Sequence, residues 1–151
     1  LSQLKNRTLK ITDKEMTRFN ITLSESVKLV EWTLSNSYGA EIVVPKIPSY
    51  KITDIAKSMC SNCKVKIIGK RPGEKTHEEM ISFEELYNTV ALKDHYIILQ
   101  PGNSKQLGYY KKRFKAKKTN LNSNYNSKDN KHFLTIQNIK QLIKNYRNNK
   151  I

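Results

Sequence analysis

The sequence predicts an α/β fold, and three observations support this prediction. Along residues 7–101, short apolar segments with strand composition alternate with segments of helical periodicity. Two places show the Ser/Thr-x-x-Glu spacing of a helix capping box, Thr22 with Glu25 and Ser82 with Glu85. Regular alternation of strands and helices also favours at least some parallel strand pairing.

The individual elements follow from local patterns. We expect strands at residues 7–12, 40–45, 64–69 and 95–101, each bounded by turn residues or proline. We expect helices from Thr22 to Gly39, from a Ser49 cap to Met59, and from Ser82 through Val90. A last helix, capped by Thr135, is expected within residues 132–151.

The net charge of +15 is concentrated in the last third of the chain. Residues 1–100 hold 15 Lys/Arg against 12 Asp/Glu, whereas residues 101–151 hold 13 Lys/Arg and a single acid, Asp129. This shift predicts three regions: an α/β portion at 1–101, a basic, Asn/Lys-rich and largely irregular segment at 102–131, and a C-terminal helix at 132–151.

The two cysteines, Cys60 and Cys63, do not predict a metal or redox site. Zinc needs four ligands, and no second Cys/His pair has suitable spacing. A redox Cys-x-x-Cys should begin a helix, but this one follows a predicted helix. We interpret both as thiols without a special role, and we expect no metal cofactor.

Two further classes of site have no sequence signal. No apolar run is long enough to cross a bilayer, so we expect a cytoplasmic protein without a membrane partner. No glycine-rich dinucleotide or P-loop motif occurs, so we expect this chain not to bind NAD(P).

One segment supports a rival function. Residues 109–118, YYKKRFKAKK, interleave aromatic side chains with cations, a pattern that can neutralise phosphates and stack on unpaired bases. The alternative reading is therefore a repurposed binding module whose basic tail contacts nucleic acid or an acidic surface. We do not favour nucleic acid, because no recognisable nucleic-acid fold accompanies the segment.

The segment RPGEK, residues 71–75, is the strongest candidate for ligand binding. Arg71 offers a planar fork of donors suited to a phosphate, and Pro72-Gly73 predicts a turn directly after a strand. Glu74 could then accept hydrogen bonds from the two hydroxyls of a ribose. A salt-bridged surface turn remains open as the other interpretation.

Three linked motifs show a family resemblance. ITDKEMTRFNIT (11–22), EIVVPKIPSYKITDIAK (41–57) and IIGKRPGEKTHEEMIS (67–82) resemble the C-terminal part of the UDP-N-acetylglucosamine 4,6-dehydratases, which are extended short-chain dehydrogenase/reductases. VPKIPS is most similar to the short inverting enzymes. The sequence departs from the family at Asn20, where a large aromatic residue is usual, and at Thr76, where leucine is usual.

The resemblance implies a substrate-binding role. It implies that Arg18 and Arg71 contact the diphosphate of a UDP-sugar and that Glu74 contacts its ribose. Glu78 is expected to pair with a nearby cation and Lys75 to face solvent. NAD(P) and the catalytic groups would lie in a Rossmann half that is absent here, so the expected partners are a UDP-sugar and a Rossmann-containing N-terminal half or a homo-oligomer. The expected activity of the assembly is dehydration of UDP-N-acetylglucosamine for surface polysaccharide or nonulosonic-acid synthesis.

Overall fold

A computed structural model of the chain describes residues 7–121 and 123–148. In chain order its elements are β1 (Thr8–Ile11), β2 (Thr17–Phe19), α1 (Leu23–Asn36), β3 (Ile42–Pro45), β4 (Ser49–Lys51), α2 (Ile52–Met59), β5 (Lys64–Ile67), β6 (Glu79–Ile81), a 3₁₀ turn (Glu85–Asn88), β7 (Thr89–Ala91), β8 (His95–Ile98), α3 (Ser104–Phe114), β9 (Lys117–Lys118), β10 (Tyr125–Asn126) and α4 (Ile136–Asn148).

The chain divides into two compact units, and each unit combines segments that are distant in sequence. The first unit contains Leu1–Asn20, Pro48–Glu78 and Ser127–Ile151, and the second contains Ile21–Ile47 and Glu79–Asn126. These units do not follow the boundaries at 101 and 131 that the charge distribution predicts. Composition changes along the chain, whereas the chain passes back and forth between the two units.

The first unit is built on two strand pairs and two helices. β1 pairs with β5 in parallel, which confirms the predicted parallel pairing, and β2 pairs with β4 in the antiparallel sense. Leu9 and Ile11 of β1 pack on Ala56 of α2 in a buried apolar cluster. Helix α4 packs on α2, and the Ser58 hydroxyl donates to the Ile136 carbonyl at 3.3 Å.

The second unit has an antiparallel sheet with the strand order β3-β8-β7-β9. Its buried cluster includes Val90, Ile97 and Tyr110, and Trp32 of α1 packs against it. Glu41 is held beside this core, because it accepts hydrogen bonds from the Tyr110 hydroxyl and from the Gln106 side chain at 2.7 Å. The sheet and α3 thus share one core.

Two predicted helix starts need correction. Ser49 lies in β4 and caps no helix, because its N–H and C=O are taken by the His132 carbonyl and the Leu134 amide, both at 2.8 Å. Ser82 and Glu85 form the predicted reciprocal hydrogen bonds, at 2.7 and 3.3 Å. Only the 3₁₀ turn follows them, because residues 89–91 pair with β8.

The basic segment 102–131 is more regular than the sequence predicts. Residues 104–114 form α3, whose first turn is capped by the Asn103 side chain accepting from the Gln106 amide at 3.0 Å. Tyr110 is fully buried, so one face of this lysine-rich helix contributes to the core. Three lysines and an arginine occupy exposed positions of α3, so composition alone does not predict the helix.

Cys60 and Cys63 also differ from the prediction. They form a disulfide and lie at the edge of the Leu9–Ile11–Ala56 cluster, so the interpretation as two separate thiols is wrong. Cys60 is the residue at which α2 ends, and the chain turns there so that the two Cα atoms lie 5.4 Å apart. That distance is within the range that a disulfide can bridge.

Candidate functional site

The segment RPGEK forms a closed turn in the connection between β5 and β6. The Glu74 N–H donates to the Arg71 carbonyl at 3.0 Å, and the Arg71 N–H donates back to Glu74 Oε2 at 3.0 Å. Gly73 has a φ of +77°, a conformation that side chains with a Cβ rarely adopt. The turn predicted from Pro72-Gly73 is therefore present, and it fixes Arg71 and Glu74 relative to each other.

The side chains of Arg71 and Glu74 each have polar atoms without a partner in the described chain. The Arg71 side chain is exposed, and within residues 7–121 and 123–148 its guanidinium has no hydrogen-bond or ion-pair partner. Glu74 is half-buried, and the contacts of the described chain occupy only its Oε2 atom. The turn therefore presents an unpaired cationic fork and one acceptor oxygen, and it is not the side-chain salt bridge of the alternative interpretation.

Arg18 is held differently, because its guanidinium is satisfied by the chain itself. Nη1 donates to the carbonyls of Thr17 at 2.7 Å and Thr76 at 3.1 Å. Nη2 donates to the Lys75 carbonyl at 2.9 Å and contacts the Met16 sulfur at 3.0 Å. An arginine side chain has five N–H donors, and four of them are accounted for by these contacts.

The remaining Arg18 nitrogen forms an ion pair. Nε lies 3.2 Å from Oε1 of Glu78, which confirms the expected pairing of Glu78 with a nearby cation. Lys75 is exposed, as expected. Arg18 therefore joins β2 to residues 75–78, the second half of the connection that carries Arg71 and Glu74. Arg18 thus contacts the residues that directly follow the turn of Arg71 and Glu74.

A series of hydrogen bonds through the buried Ser127 side chain holds the end of this loop in place. Ser127, which has no exposed surface, accepts from the Glu78 N–H at 2.9 Å and shares a hydrogen bond of 2.7 Å with the Thr17 hydroxyl. The Ser127 N–H donates to the Glu78 carbonyl at 2.8 Å, and the Thr17 hydroxyl lies 2.8 Å from Nδ1 of His77. Both main-chain groups of Glu78 are thus fixed by one serine.

Sequence reasoning missed Thr17, His77 and Ser127. Thr17 and Ser127 are 110 positions apart, and Ser127 lies in a segment whose composition predicts irregular structure. No spacing rule links such residues.

The charges around the turn also hold it in place. Lys70 donates to the Thr76 hydroxyl at 2.8 Å and lies 3.7 Å from Oδ2 of Asp13. Tyr50 faces Arg18 across the β2–β4 pair, and burial raises the pKa of its hydroxyl although the positive charge of Arg18 opposes that shift. Tyr50 is therefore a neutral neighbour of the site at ordinary pH.

The described residues contain no cluster of metal ligands, and no glycine-rich turn precedes α1 or α3. Residues 7–121 and 123–148 contain no group of three or more His, Cys, Asp or Glu side chains that could hold a metal ion. The helix starts of α1 and α3 are capped by Thr22 and Asn103, and neither follows the glycine-rich turn that a pyrophosphate requires. Among the same residues, no helix is long and apolar enough to cross a membrane.

The basic segment 109–118 offers only part of what the rival function needs. Tyr110 is buried, while Tyr109 and Phe114 pack against the core of the second unit. Arg113 lies over the rings of Tyr109 and Phe114, at 5.8 and 5.5 Å from their centroids. The segment presents exposed cations, but its aromatic rings are occupied by packing within the unit.

The chain is similar to a family of known proteins. A family model described as polysaccharide biosynthesis protein matches residues 2–100. The chain belongs to this family. A UDP-N-acetylglucosamine 4,6-dehydratase (inverting) from Campylobacter jejuni is 48% identical over 90 residues, which cover 60% of this chain and 27% of that enzyme. The resemblance to the C-terminal part of the UDP-N-acetylglucosamine 4,6-dehydratases, which the three motifs indicate, is confirmed.

Two other matches extend over nearly the whole chain. A UDP-glucose 4-epimerase from Rickettsia conorii is 33% identical over an alignment of 149 residues. That alignment covers 95% of this chain and 43% of the epimerase. The X-ray structure of Pen from Bacillus thuringiensis superposes with a TM-score of 0.78 at 27% identity, covering 97% of this chain and 44% of Pen. The predicted fold class, a part of an extended short-chain dehydrogenase/reductase, is confirmed. The chain spans less than half the length of each of these proteins.

Proposed function

We propose that this member of the polysaccharide biosynthesis protein family binds the UDP portion of a nucleotide sugar through the Arg71–Glu74 turn. The observation that carries the proposal is the unpaired guanidinium of Arg71 beside the half-used carboxylate of Glu74, in a turn closed by two hydrogen bonds of 3.0 Å. A planar guanidinium suits a diphosphate, and a carboxylate oxygen suits ribose hydroxyls. Because the turn is already closed, little loop ordering is needed on binding.

Arg18 has a different part in this proposal. Its donors point at three carbonyls, a sulfur and a carboxylate, so a direct contact with the diphosphate requires that at least one of them be redirected. Arg18 acts first by holding residues 75–78 in place. Because its charge is balanced by Glu78 at 3.2 Å, its main contribution to the proposal is to hold this part of the loop.

The assembled enzyme that we propose is an NAD(P)-dependent UDP-N-acetylglucosamine 4,6-dehydratase of polysaccharide or nonulosonic-acid synthesis. The inverting dehydratase of C. jejuni and the epimerase of R. conorii, both named for UDP-sugars, support this assignment. In this proposal, NAD(P) and the reacting groups belong to a separate cofactor-binding part. The absence of a glycine-rich turn before α1 and α3 supports this placement. The chain alone is then a binding protein without turnover.

Calorimetric titration of the chain with UDP tests the turn directly. Arg71→Ala should weaken UDP binding by about 30- to 1,000-fold, the equivalent of losing about 2–4 kcal/mol of charge-assisted contact. Lys75→Ala is the matched control, because it removes one positive charge from an exposed side chain of the same loop. Equal losses in the two variants would mean that general charge, and not the Arg71 fork, attracts the ligand.

A second titration with 2′-deoxy-UDP examines Glu74. Glu74→Gln keeps the shape of the side chain but replaces an ionic acceptor by a neutral one, which should cost about 1–1.5 kcal/mol. Removing the 2′-hydroxyl should then weaken binding to the parent chain more than binding to the variant. If the deoxy analogue loses the same affinity in both proteins, Glu74 does not touch the ribose.

A further inference from the structure

Two adjoining cavities lie in the first unit, where the end of α2 meets α4. Their volumes are about 380 and 200 Å³, and they share Ser58, Met59 and Lys140 as lining residues. Five cations line the two cavities, namely Arg7, Lys57, Lys140, Lys144 and Arg147. We call the two cavities together the basic cleft.

The positive charges of the basic cleft are not balanced by the chain itself. Among the described residues that line the cleft there is no Asp or Glu. All five cationic side chains are exposed, and within residues 7–121 and 123–148 none of them forms an ion pair or a hydrogen bond. The cleft is therefore a surface on which like charges converge from three separate segments, residue 7, α2 and α4.

The end of α2 accounts for only a small part of this charge. The last carbonyls of a helix are equivalent to about half a negative elementary charge. Helix α2 ends beside the larger cavity, and Lys57 in its last turn already offsets that charge. Because Arg7 and Lys140 line the same cavity, it keeps a net positive charge of about two and a half elementary charges.

The backbone that carries these cations is held in place. The Arg7 carbonyl accepts from the Lys64 N–H at 2.9 Å, which attaches residue 7 to the start of β5. The hydrogen bond from Ser58 to the Ile136 carbonyl attaches α2 to α4 on the floor that both cavities share. Only the long side chains would therefore have to become ordered when an anion binds, which limits the entropic cost.

The arrangement along α4 favours an extended anion rich in phosphate. Lys140, Lys144 and Arg147 follow at spacings of four and three residues, so they share one face of the helix and form a row about 10 Å long. Such a row can contact several phosphate groups in succession. None of the described lining residues is aromatic, so the cleft lacks the rings on which the bases of a single-stranded nucleic acid stack.

We propose that the basic cleft binds an oligophosphate chain, either free inorganic polyphosphate or the phosphate chain of a nucleotide. Ammonium and guanidinium groups donate charge-assisted hydrogen bonds to phosphate oxygens, and the cleft offers five such groups. No residue of the Arg71–Glu74 turn lines the cleft, so this site is separate from the proposed UDP site and does not depend on it.

Calorimetric titration of the chain with inorganic tripolyphosphate tests the proposal. Lys57→Ala with Lys140→Ala, the cleft pair, removes one cation from each of the two helices. Lys105→Ala with Lys112→Ala is the matched control, because it removes two exposed lysines from α3 and changes the net charge equally. The cleft pair should weaken binding by about 10-fold or more and the control pair by less than about 2-fold, with the difference shrinking as salt is raised.

Equal losses in the two pairs would show that only the overall charge attracts the anion, and would overturn the proposal. So would a parent chain that does not bind tripolyphosphate. Both pairs should keep the urea midpoint of the parent, since alanine is a good helix former. If the cleft pair unfolds earlier, Lys144→Gln with Arg147→Gln in the last part of α4 provides the same comparison.

Two further ligands identify the source of the phosphate chain. ATP binding more tightly than tripolyphosphate would support a nucleotide as the source, and ATP binding equally or more weakly would support free polyphosphate. A single-stranded oligothymidylate that binds more tightly than both, and that the cleft pair weakens, would assign the cleft to nucleic acid and overturn the proposal.

The same variants keep the two anion sites apart. The cleft pair should leave the affinity for UDP unchanged, and Arg71→Ala should change the affinity for tripolyphosphate by less than about 2-fold. Failure of the UDP site and failure of the basic cleft are therefore distinguishable.

Discussion

Ser127→Ala is the perturbation that most directly tests how the candidate site is supported. Ser127 is fully buried, and its hydroxyl is the acceptor for the Glu78 N–H at 2.9 Å and a partner of the Thr17 hydroxyl at 2.7 Å. Alanine removes this oxygen and adds no replacement. The Glu78 N–H is then left without a partner inside the protein.

The expected magnitude follows from these contacts. Leaving a buried main-chain donor unsatisfied costs about 1–3 kcal/mol. The Thr17 hydroxyl retains Nδ1 of His77 at 2.8 Å, so its loss is smaller than that of the amide. We therefore expect a loss of about 2–3 kcal/mol in the free energy of unfolding, which corresponds to a fall in Tm of about 4–12 °C for a chain of this size.

Urea and thermal unfolding, followed by circular dichroism, measure this loss. Ser123→Ala is the control, because Ser123 lies in the same segment, is exposed and makes no hydrogen bond among the described residues. Amide exchange adds a local readout, in which the Glu78 N–H should lose protection in the Ser127 variant. If both alanine variants unfold at the same denaturant concentration, the buried chain from Ser127 to His77 does not support the loop.

Two further predictions concern Glu41 and Arg18. Burial raises the pKa of Glu41, but hydrogen bonds from Tyr110 and the backbone outweigh it and lower the pKa below the ordinary 4.5. Its contribution to stability is thus present above pH 4.5 and lost as pH falls through the folded-state pKa. Because the pKa of Glu25 is also lowered, urea midpoints between pH 6 and pH 3 should fall in both proteins, but further in the parent than in Glu41→Gln. Arg18→Lys should reduce stability by about 1–3 kcal/mol, because an ammonium cannot replace the fork, whereas Arg71→Lys should leave stability unchanged and weaken only UDP binding. Equal urea midpoints for the two lysine variants would contradict the supporting role of Arg18.

The local features of the fold were predictable where a side chain and a nearby backbone group decide the structure. The capping box of Thr22 and Glu25 is formed as predicted, and Thr135 accepts from the Asn138 amide at the start of α4. The parallel pairing of β1 with β5 followed from the alternation of strands and helices. These interactions span few residues or depend on periodicity, so the sequence contains their signal.

The errors occurred where distant residues decide the structure. Serine is a residue type that often caps helices, but main-chain hydrogen bonds to residues 132 and 134 hold Ser49 in a strand. Residues 104–114 carry the charge of an irregular segment, but burial of Tyr110 stabilises a helix there. In both cases, tertiary contacts outweigh local preference. Charge per residue says nothing about which face of a helix is buried.

The roles of the two arginines show what geometry adds to a family resemblance. The motifs imply the same diphosphate contact for Arg18 and Arg71, because both are cations in segments that resemble the dehydratases. Hydrogen-bond partners separate them: the donors of Arg18 all have acceptors within the chain, and the guanidinium of Arg71 has none among the described residues. An arginine that is already satisfied loses hydrogen bonds when it binds an anion, whereas an unpaired one loses only hydration. The larger share of diphosphate affinity is therefore expected from Arg71, and the rigidity that makes this affinity possible is expected from Arg18.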